Sequence, residues 1–253
     1  MMSKNRESQN DTEQRCLDFV KNEMKEKDCF GLSKEHFTEL KKWLNNSEPN
    51  SNNNNFPDFV FGSGFIEHFA VTSSLVDKKG AKQTRESYVF KKKSETNFLK
   101  HLDSSEEEIL VSHSFGRNFE KHTHLNIVNS IKKSWIKHIE SYDKNTSEFT
   151  HRIFLIEYTD IILQTAVSRR NEPTEVFDTY RISVDEHLLD WIYTYKEKID
   201  YLILVNLLSP SIEVIRINHI PDLIKEIPEI GCAPVIGIES HKFMGFKIKE
   251  ENI

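Results

Sequence analysis

Apolar residues recur at helical spacing in several stretches of the chain, and each such stretch predicts an amphipathic helix. Leu17, Val20 and Met24 share one face of a predicted helix over about residues 12–28. The segment GLSKEHFTELKKWLNN predicts a second helix, and Ser33 is its expected N-cap. Further helices are predicted around residues 84–101, in EHLLDWIYTYKEK, and in a short part of the tail from residue 220. A long helix is predicted over roughly 118–142, and its apolar stripe consists of Leu125, Val128, Ile131, Trp135, Ile139 and Tyr142.

Short apolar runs between these helices predict strands. Residues 152–158, RIFLIEY, form a nearly continuous apolar run that is typical of a central strand covered on both faces. IDYLILVNLL predicts a second buried strand with SIEVIRI as its hairpin partner, residues 109–113 predict a short strand, and TDIILQTA either extends the 152–158 strand or forms a neighbour. We therefore expect one α/β domain over residues 12–253, with a central mixed β-sheet flanked by helices, after a disordered polar segment at residues 1–11.

The segment NNNNFPDFVFGSGFIEHFAV reads as a β-hairpin that carries two carboxylates. Gly62-Ser63 suits a two-residue type II′ turn, and that turn places position 58 directly opposite position 67. Asp58 and Glu67 then share one face of the hairpin, with Cβ atoms on the order of 5 Å apart. Two like charges at this separation repel each other, so we expect the pair to be solvated, to share a proton, or to hold a cation.

This hairpin resembles the metal site of the PD-(D/E)XK nuclease superfamily, which has the restriction-endonuclease-like fold. The resemblance rests on Pro57-Asp58, the short hairpin, the acid Glu67 on the next strand, and the order helix, hairpin, helix, parallel strand, over roughly residues 30–160. It implies Mg²⁺ or Mn²⁺ held by Asp58 and Glu67, with the carbonyl of His68 completing the shell, and hydrolysis of phosphodiesters. His36 on the preceding helix resembles the metal-binding histidine of one subset, which includes viral cap-snatching endonucleases, and suits Mn²⁺; the helix glutamate that is commoner in the superfamily would be Glu35 or Glu39.

The chain departs from the family pattern at the lysine expected two residues after the acid, where Phe69 stands. A lysine from a neighbouring element is then needed to stabilise the phosphate or the attacking hydroxide. The candidates are Lys78, Lys79, Lys82 and the run Lys91, Lys92 and Lys93.

The other chemistry-bearing residues favour structural roles. His113, His122, His124 and His138 have no cysteine near them in sequence, and His122 and His124 point to different faces of a helix, so a zinc site is not expected. Ser73-Ser74 lacks the G-x-S-x-G elbow of serine hydrolases. Glu157 lies within the buried run RIFLIEY and needs a partner, which is either a lysine of the long helix or the metal site.

Composition narrows the function only slightly. The net charge of −6 gives no global attraction to nucleic acid, although the clustered lysines leave room for a local basic face. Three scattered cysteines without a CxxC pair, a polar N-terminus and the lack of a long apolar run predict a cytoplasmic protein with no membrane partner. We expect a nuclease that acts on nucleic acid, DNA rather than RNA, in a restriction or defence role; a homodimer is left open. The alternatives are an inactive binding module of the same fold and a protein-interaction domain.

Overall fold

A mixed seven-stranded sheet forms the centre of the fold, in the order β1-β10-β9-β6-β4-β3-β2. The computed structural model describes residues 3–51, 56–74, 81–104, 109–118, 122–227, 232–236 and 238–247. The strands of the central sheet are β1 (Cys29–Phe30), β2 (Glu48–Pro49), β3 (Phe59–Phe61), β4 (Gly64–Val71), β6 (His151–Tyr158), β9 (Tyr201–Asn206) and β10 (Ser211–Arg216). The remaining strands are β5 (Ile109–Asn118), β7 (Leu163–Val167), β8 (Glu175–Phe177), β11 (Cys232–Ile236) and β12 (Ile238–Lys247).

Six α-helices surround these strands in the described part of the chain. They are α1 (Ser3–Glu23), α2 (Lys34–Asn45), α3 (Ala81–Asp103), α4 (His124–Asp143), α5 (Glu186–Tyr193) and α6 (Ile220–Glu226). The α/β class with a mixed sheet flanked by helices is confirmed. Strand β6 runs parallel to both of its neighbours, β4 and β9, whereas β2, β3 and β4 form an antiparallel meander.

The two faces of the central sheet carry separate cores, because side chains alternate along each strand. Phe65 and Phe69 of β4 face α4, α5 and α6, together with Phe154 of β6. Ile66 of β4 and Leu155 of β6 face α1 and α2 instead. Each strand residue can therefore be assigned to the α4 face or to the α1 face of the sheet. By this alternation Glu67 belongs to the α4 face, whereas His68 and Glu157 belong to the α1 face.

The β3–β4 hairpin has the predicted register. Phe61 pairs with Gly64 across the Gly62-Ser63 turn, and Phe59 pairs with Ile66. Gly62 has a φ of +46°, the positive value that the first central residue of a type II′ turn requires. The next positions along the two strands are 58 and 67, so the turn sets Asp58 opposite Glu67.

The long amphipathic helix begins later than its pattern suggested. Thr123 caps α4 by accepting a hydrogen bond from the amide of Asn126, so the helix starts at residue 124 rather than about 118. The buried side chains of α4 include the predicted Ile131, Trp135 and Ile139. Leu125 is wrongly assigned to this stripe, since it is 66% exposed and lies outside the packed face.

Three other boundaries differ from expectation. Helix α1 begins at Ser3, within the segment expected to be disordered, and its first turns have helix-compatible polar residues without an apolar stripe. TDIILQTA contributes β7, which pairs with β8 and β11 in a separate three-stranded sheet. The tail also contains β12, which pairs with the whole of β5 in a two-stranded ribbon next to α3. Among the described residues, no helix combines the length and the apolar character needed to cross a bilayer.

Candidate functional site

Asp58 and Glu67 meet at the open end of the β3–β4 hairpin, as the parity argument predicted. The amide of Asp58 donates to Glu67 Oε2 at 3.1 Å, and the amide of His68 donates to Asp58 Oδ2 at 2.7 Å. Each carboxyl therefore accepts a hydrogen bond from the opposite strand, which fixes its orientation. Glu67 is buried, and Asp58 is partly exposed.

His138 of α4 completes this arrangement, and sequence reasoning gave it no role in the site. Its Nδ1 lies 2.5 Å from Glu67 Oε1. Its ring stacks on Phe69, with centroids 4.8 Å apart and planes 15° from parallel. Glu67 and Phe69 alternate onto the same face of β4, so α4 brings His138 against both. The available signal was the helical spacing that puts His138 three residues after the buried Trp135.

Burial dominates the electrostatics of the carboxyl pair. It raises the pKa of Asp58 to about 7, and repulsion by Glu67 and then by Glu13 adds to the rise. Burial likewise raises the pKa of Glu67 to about 8, against the opposing hydrogen bond from the amide of Asp58. The pKa of His138 falls to about 4, because desolvation outweighs the attraction of the nearby carboxyl groups. At neutral pH the imidazole is therefore neutral, and the carboxyl pair retains at least one proton.

The acid that acts on this pair from a helix is Glu13 rather than Glu35 or Glu39. Glu13 lies on α1, is 8% exposed, and raises the pKa of both Asp58 and Glu67 by its charge. Glu35 and Glu39 are exposed on α2. Glu13 was overlooked because the resemblance directed attention to the helix that directly precedes the hairpin.

Of the predicted lysines, only Lys91, Lys92 and Lys93 have described side chains, and none of these three contacts the pair. Lys78 and Lys79 lie outside the described residues, and Lys82 falls within α3 but its side chain is not among those described. The lysines at 91–93 are exposed on α3. Within the described ranges, no lysine or arginine contacts Asp58 or Glu67, and the motif position itself holds the buried ring of Phe69.

The structure does not bring His36 to the carboxyl pair. Its Nδ1 lies 3.3 Å from Arg216 Nη1, at the end of β10. Arg216 and Phe59 stand in one row across the sheet, through Tyr201, Ile153 and Ile66. Four strand spacings of about 4.8 Å put β10 on the order of 19 Å from β3. The expected histidine ligand is therefore separated from the pair by four of the six strand spacings of the central sheet.

His68 and Glu157 form a second cluster on the opposite, α1 face of the sheet. His68 alternates away from Glu67 and places its Nε2 3.4 Å from Glu157 Oε2. Cys16 of α1 approaches both, and one ligand atom of each of the three residues lies within 4.8 Å of the others. Neither of the two partners considered for Glu157 is found, because α4 with its lysines and the Asp58–Glu67 pair both lie on the other face of the sheet. Burial raises the pKa of the Cys16 thiol well above its ordinary value, and the charge of Glu157 adds to this.

The other histidines of α4 and its approach are held in structural networks, as predicted. The Ser73 hydroxyl donates to Asp160 Oδ1 at 2.8 Å, so His122 Nδ1, at 2.7 Å, must donate to the serine rather than accept its proton. Ser73 is also completely buried, so its hydroxyl is shielded from solvent. His124 bonds to Asp185, the N-cap of α5.

Asp185 is held in its charged form by its neighbours. Burial alone would raise its pKa, but hydrogen bonds from His124 and Tyr180 outweigh burial and leave the pKa below its ordinary value. The hydroxyl of Tyr180 donates to Asp185 Oδ2 at 2.5 Å.

The comparisons with known proteins add no relative to this picture: no protein-family model, no curated protein and no solved structure matches the chain.

Proposed function

We propose that the chain is a divalent-metal-dependent nuclease of the PD-(D/E)XK type, in which Asp58 and Glu67 hold Mg²⁺ or Mn²⁺ for the hydrolysis of phosphodiesters, with DNA as the preferred substrate. The observation that carries the proposal is the meeting of two carboxyl groups from paired strands. No cation from the described side chains contacts either of them. A pair of this kind, with both pKa values raised, is electrostatically suited to a bound cation.

The order of elements around the pair supports the same proposal. Helix α2 precedes the antiparallel strands β2, β3 and β4, and after the additional elements α3 and β5, helix α4 leads to β6, which is parallel to β4. This is the order of helix, acidic hairpin, helix and parallel strand on which the resemblance rests. Asp58 stands immediately before β3 and Glu67 stands within β4, the two places that the motif requires.

The donor set suits a small divalent cation, because carboxylate oxygens are the ligands that Mg²⁺ and Mn²⁺ prefer. When bound, such a metal lowers the pKa of a coordinated water and draws charge from the scissile phosphate. The chain's own contribution is to hold the ligands in place. The amides of Asp58 and His68 orient the two carboxyl groups, and His138 fixes Oε1 of Glu67. Burial strengthens every Coulomb interaction within the site.

Phe69 favours a second candidate function, a nucleic-acid-binding module that has this fold without the chemistry. Its ring fills the position of the motif lysine and packs against His138, so it leaves no room there for a cationic side chain. A module of this kind would bind DNA with a steep salt dependence and leave it uncut.

The experiment is a cleavage assay on supercoiled plasmid and on single-stranded DNA, with Mg²⁺ or Mn²⁺ and with a chelator. We expect metal-dependent nicking by the wild type and its loss in Asp58→Asn and Glu67→Gln. Asp222→Asn is the matched control, because Asp222 belongs to the chain's other Pro-Asp pair. The side chain of Asp222 is 60% exposed and is bonded to Lys225. Binding without cleavage in the wild type would favour the module, and cleavage that survives in both site variants would overturn the proposal.

A further inference from the structure

Three metal-ligating side chains meet on the α1 face of the sheet, a place that the proposed nuclease site does not use. Cys16 comes from α1, His68 from β4 and Glu157 from β6. The strands β4 and β6 are adjacent and parallel, and His68 and Glu157 both alternate toward α1. Cys16 lies one turn before Val20 on the buried side of α1, and it is completely shielded from solvent.

His68 supplies an independent sign that a ligand belongs in this cluster. Its side chain is 6% exposed. Its Nε2 makes no hydrogen bond among the described residues, because the 3.4 Å contact with Glu157 is too poorly aligned to count as one. Leaving a buried polar atom without a partner costs free energy, because the atom loses its hydrogen bonds to water. A ring nitrogen that faces a thiol and a carboxyl group would regain this free energy by coordinating a metal.

We propose that Cys16, His68 and Glu157 bind a zinc-like divalent cation, which fastens helix α1 to strands β4 and β6. Thiolate, imidazole and carboxylate are all zinc ligands, and the thiolate makes the site unsuitable for Mg²⁺ or Ca²⁺. With bond lengths of about 2.0–2.3 Å, tetrahedral zinc puts neighbouring ligand atoms roughly 3.3–3.7 Å apart. The ligand atoms lie within 4.8 Å of one another, so small side-chain rotations suffice to close the site.

A metal at this position would act as a tie between distant parts of the chain. Its ligands come from a helix near the N-terminus and from two central strands, and no short loop joins them. The binding free energy of such a site adds directly to folding stability, because the unfolded chain does not hold the ligands together. Water would complete the tetrahedron, as in other zinc sites with three protein ligands. The proposal is independent of hydrolysis, since the ligands point away from Asp58 and Glu67.

Cobalt substitution tests the site directly, since Co²⁺ bound to a thiolate gives a charge-transfer absorption band. We expect the chelator-treated full chain to bind one equivalent of Co²⁺ with this band, and Zn²⁺ to displace it. Cys16→Ala should abolish the band. The double variant Cys29→Ala, Cys232→Ala should retain the band, because it keeps Cys16, the thiol that is proposed to bind the metal. Glu157→Gln keeps the size of the side chain but removes its charge. Loss of an outer-shell partner weakens metal binding by up to about 100-fold, so the loss of Glu157 as a direct ligand should weaken it by at least that much.

Melting curves with and without Zn²⁺ provide the second readout. The wild type should melt at a higher temperature with Zn²⁺, and Cys16→Ala should show no shift while remaining folded by circular dichroism. A folded wild type without a cobalt–thiolate band would overturn the proposal, as would a band that survives in Cys16→Ala. If Cys16→Ala does not fold, Glu157→Gln decides the matter: unchanged affinity in that variant also overturns the site.

Discussion

Glu67→Gln distinguishes a neutral contact between Glu67 and His138 from an ion pair. With His138 neutral and the pKa of Glu67 raised to about 8, the side chain is protonated at neutral pH. Glutamine imitates that protonated form. Its amide oxygen can accept the hydrogen bond from the Asp58 amide, and its NH₂ group can donate to His138 Nδ1. We therefore expect metal-free Glu67→Gln to be about as stable as the wild type at pH 5.

The two proteins should diverge as the pH rises. A carboxyl group with a raised folded-state pKa loses its contribution to stability as the pH passes from the unfolded-state pKa up through the folded-state pKa. The rise in the pKa of Glu67 from 4.5 to about 8 corresponds to roughly 5 kcal/mol at about 1.4 kcal/mol per pKa unit. Relaxation and water entry around the ionised group reduce this cost, so we expect Glu67→Gln to be more stable than the wild type by about 2–3 kcal/mol at pH 9.

The assay is urea unfolding of both proteins from pH 5 to pH 9 in the presence of a chelator. The difference between the two free energies of unfolding should grow steadily with pH in favour of the variant. A buried carboxylate–imidazolium ion pair would give the opposite result, because removing one charge from it is strongly destabilising. Lower stability of Glu67→Gln at neutral pH and above would refute the neutral contact and the raised pKa of Glu67 together.

Three further predictions concern the scaffold. In denaturant titration, Trp135→Ala should lower the free energy of unfolding by about 3–5 kcal/mol, because Trp135 is fully buried in the core on the α4 face. Ile136→Ala, at a position that is 44% exposed, should lower it by less than about 1 kcal/mol. Asp185→Asn should destabilise the protein at neutral pH, because a lowered pKa means that the ionised Asp185 stabilises the fold above its unfolded-state pKa. This contribution disappears as the pH falls through the folded-state pKa, so melting curves from pH 7 down to pH 3 should show the effect of the substitution shrinking. Gly31→Ala should cost more than about 1 kcal/mol in denaturant titration, since the glycine has a φ of +75° and an added Cβ would lie 2.2 Å from Cβ of His219.

The features that were predictable from the sequence are those that depend on neighbouring residues. The Gly62-Ser63 turn sets the register of the hairpin, so the position of Asp58 opposite Glu67 follows from strand parity alone. The N-cap at Ser33 also follows from local chemistry, and its hydroxyl accepts from the amide of His36 as expected. In both cases the relevant interaction closes within about ten residues.

The contacts that were missed join distant segments. His138 reaches Glu67 across 71 residues, and its spacing from Trp135 shows that it faces the sheet but not which strand it meets. Alternation along β6 puts Glu157 on the face opposite Phe154 and Ile156, but both faces of β6 are apolar, so the sequence did not show which face the long helix covers. The arrival of Cys16 on the same face depends on how α1 packs, which no local pattern specifies.

The ribbon of β5 and β12 was missed for a different reason. IESHKFMGFK mixes polar and apolar residues without a clean alternation, so β12 is a weak strand by pattern and forms by pairing with β5 along its full length. Pairing of this kind is a tertiary effect that overrides the local preference of the segment.

The most direct test of the central claim, that Asp58 and Glu67 hold a divalent cation, is Mn²⁺ binding to the intact chain measured by electron paramagnetic resonance of free Mn²⁺. We predict that the wild type and Cys16→Ala each bind Mn²⁺ at the carboxyl pair, and that Asp58→Asn loses this binding while Asp222→Asn retains it. A folded wild type that leaves all of the Mn²⁺ free at millimolar concentration, or binding that persists unchanged in Asp58→Asn, would contradict the account.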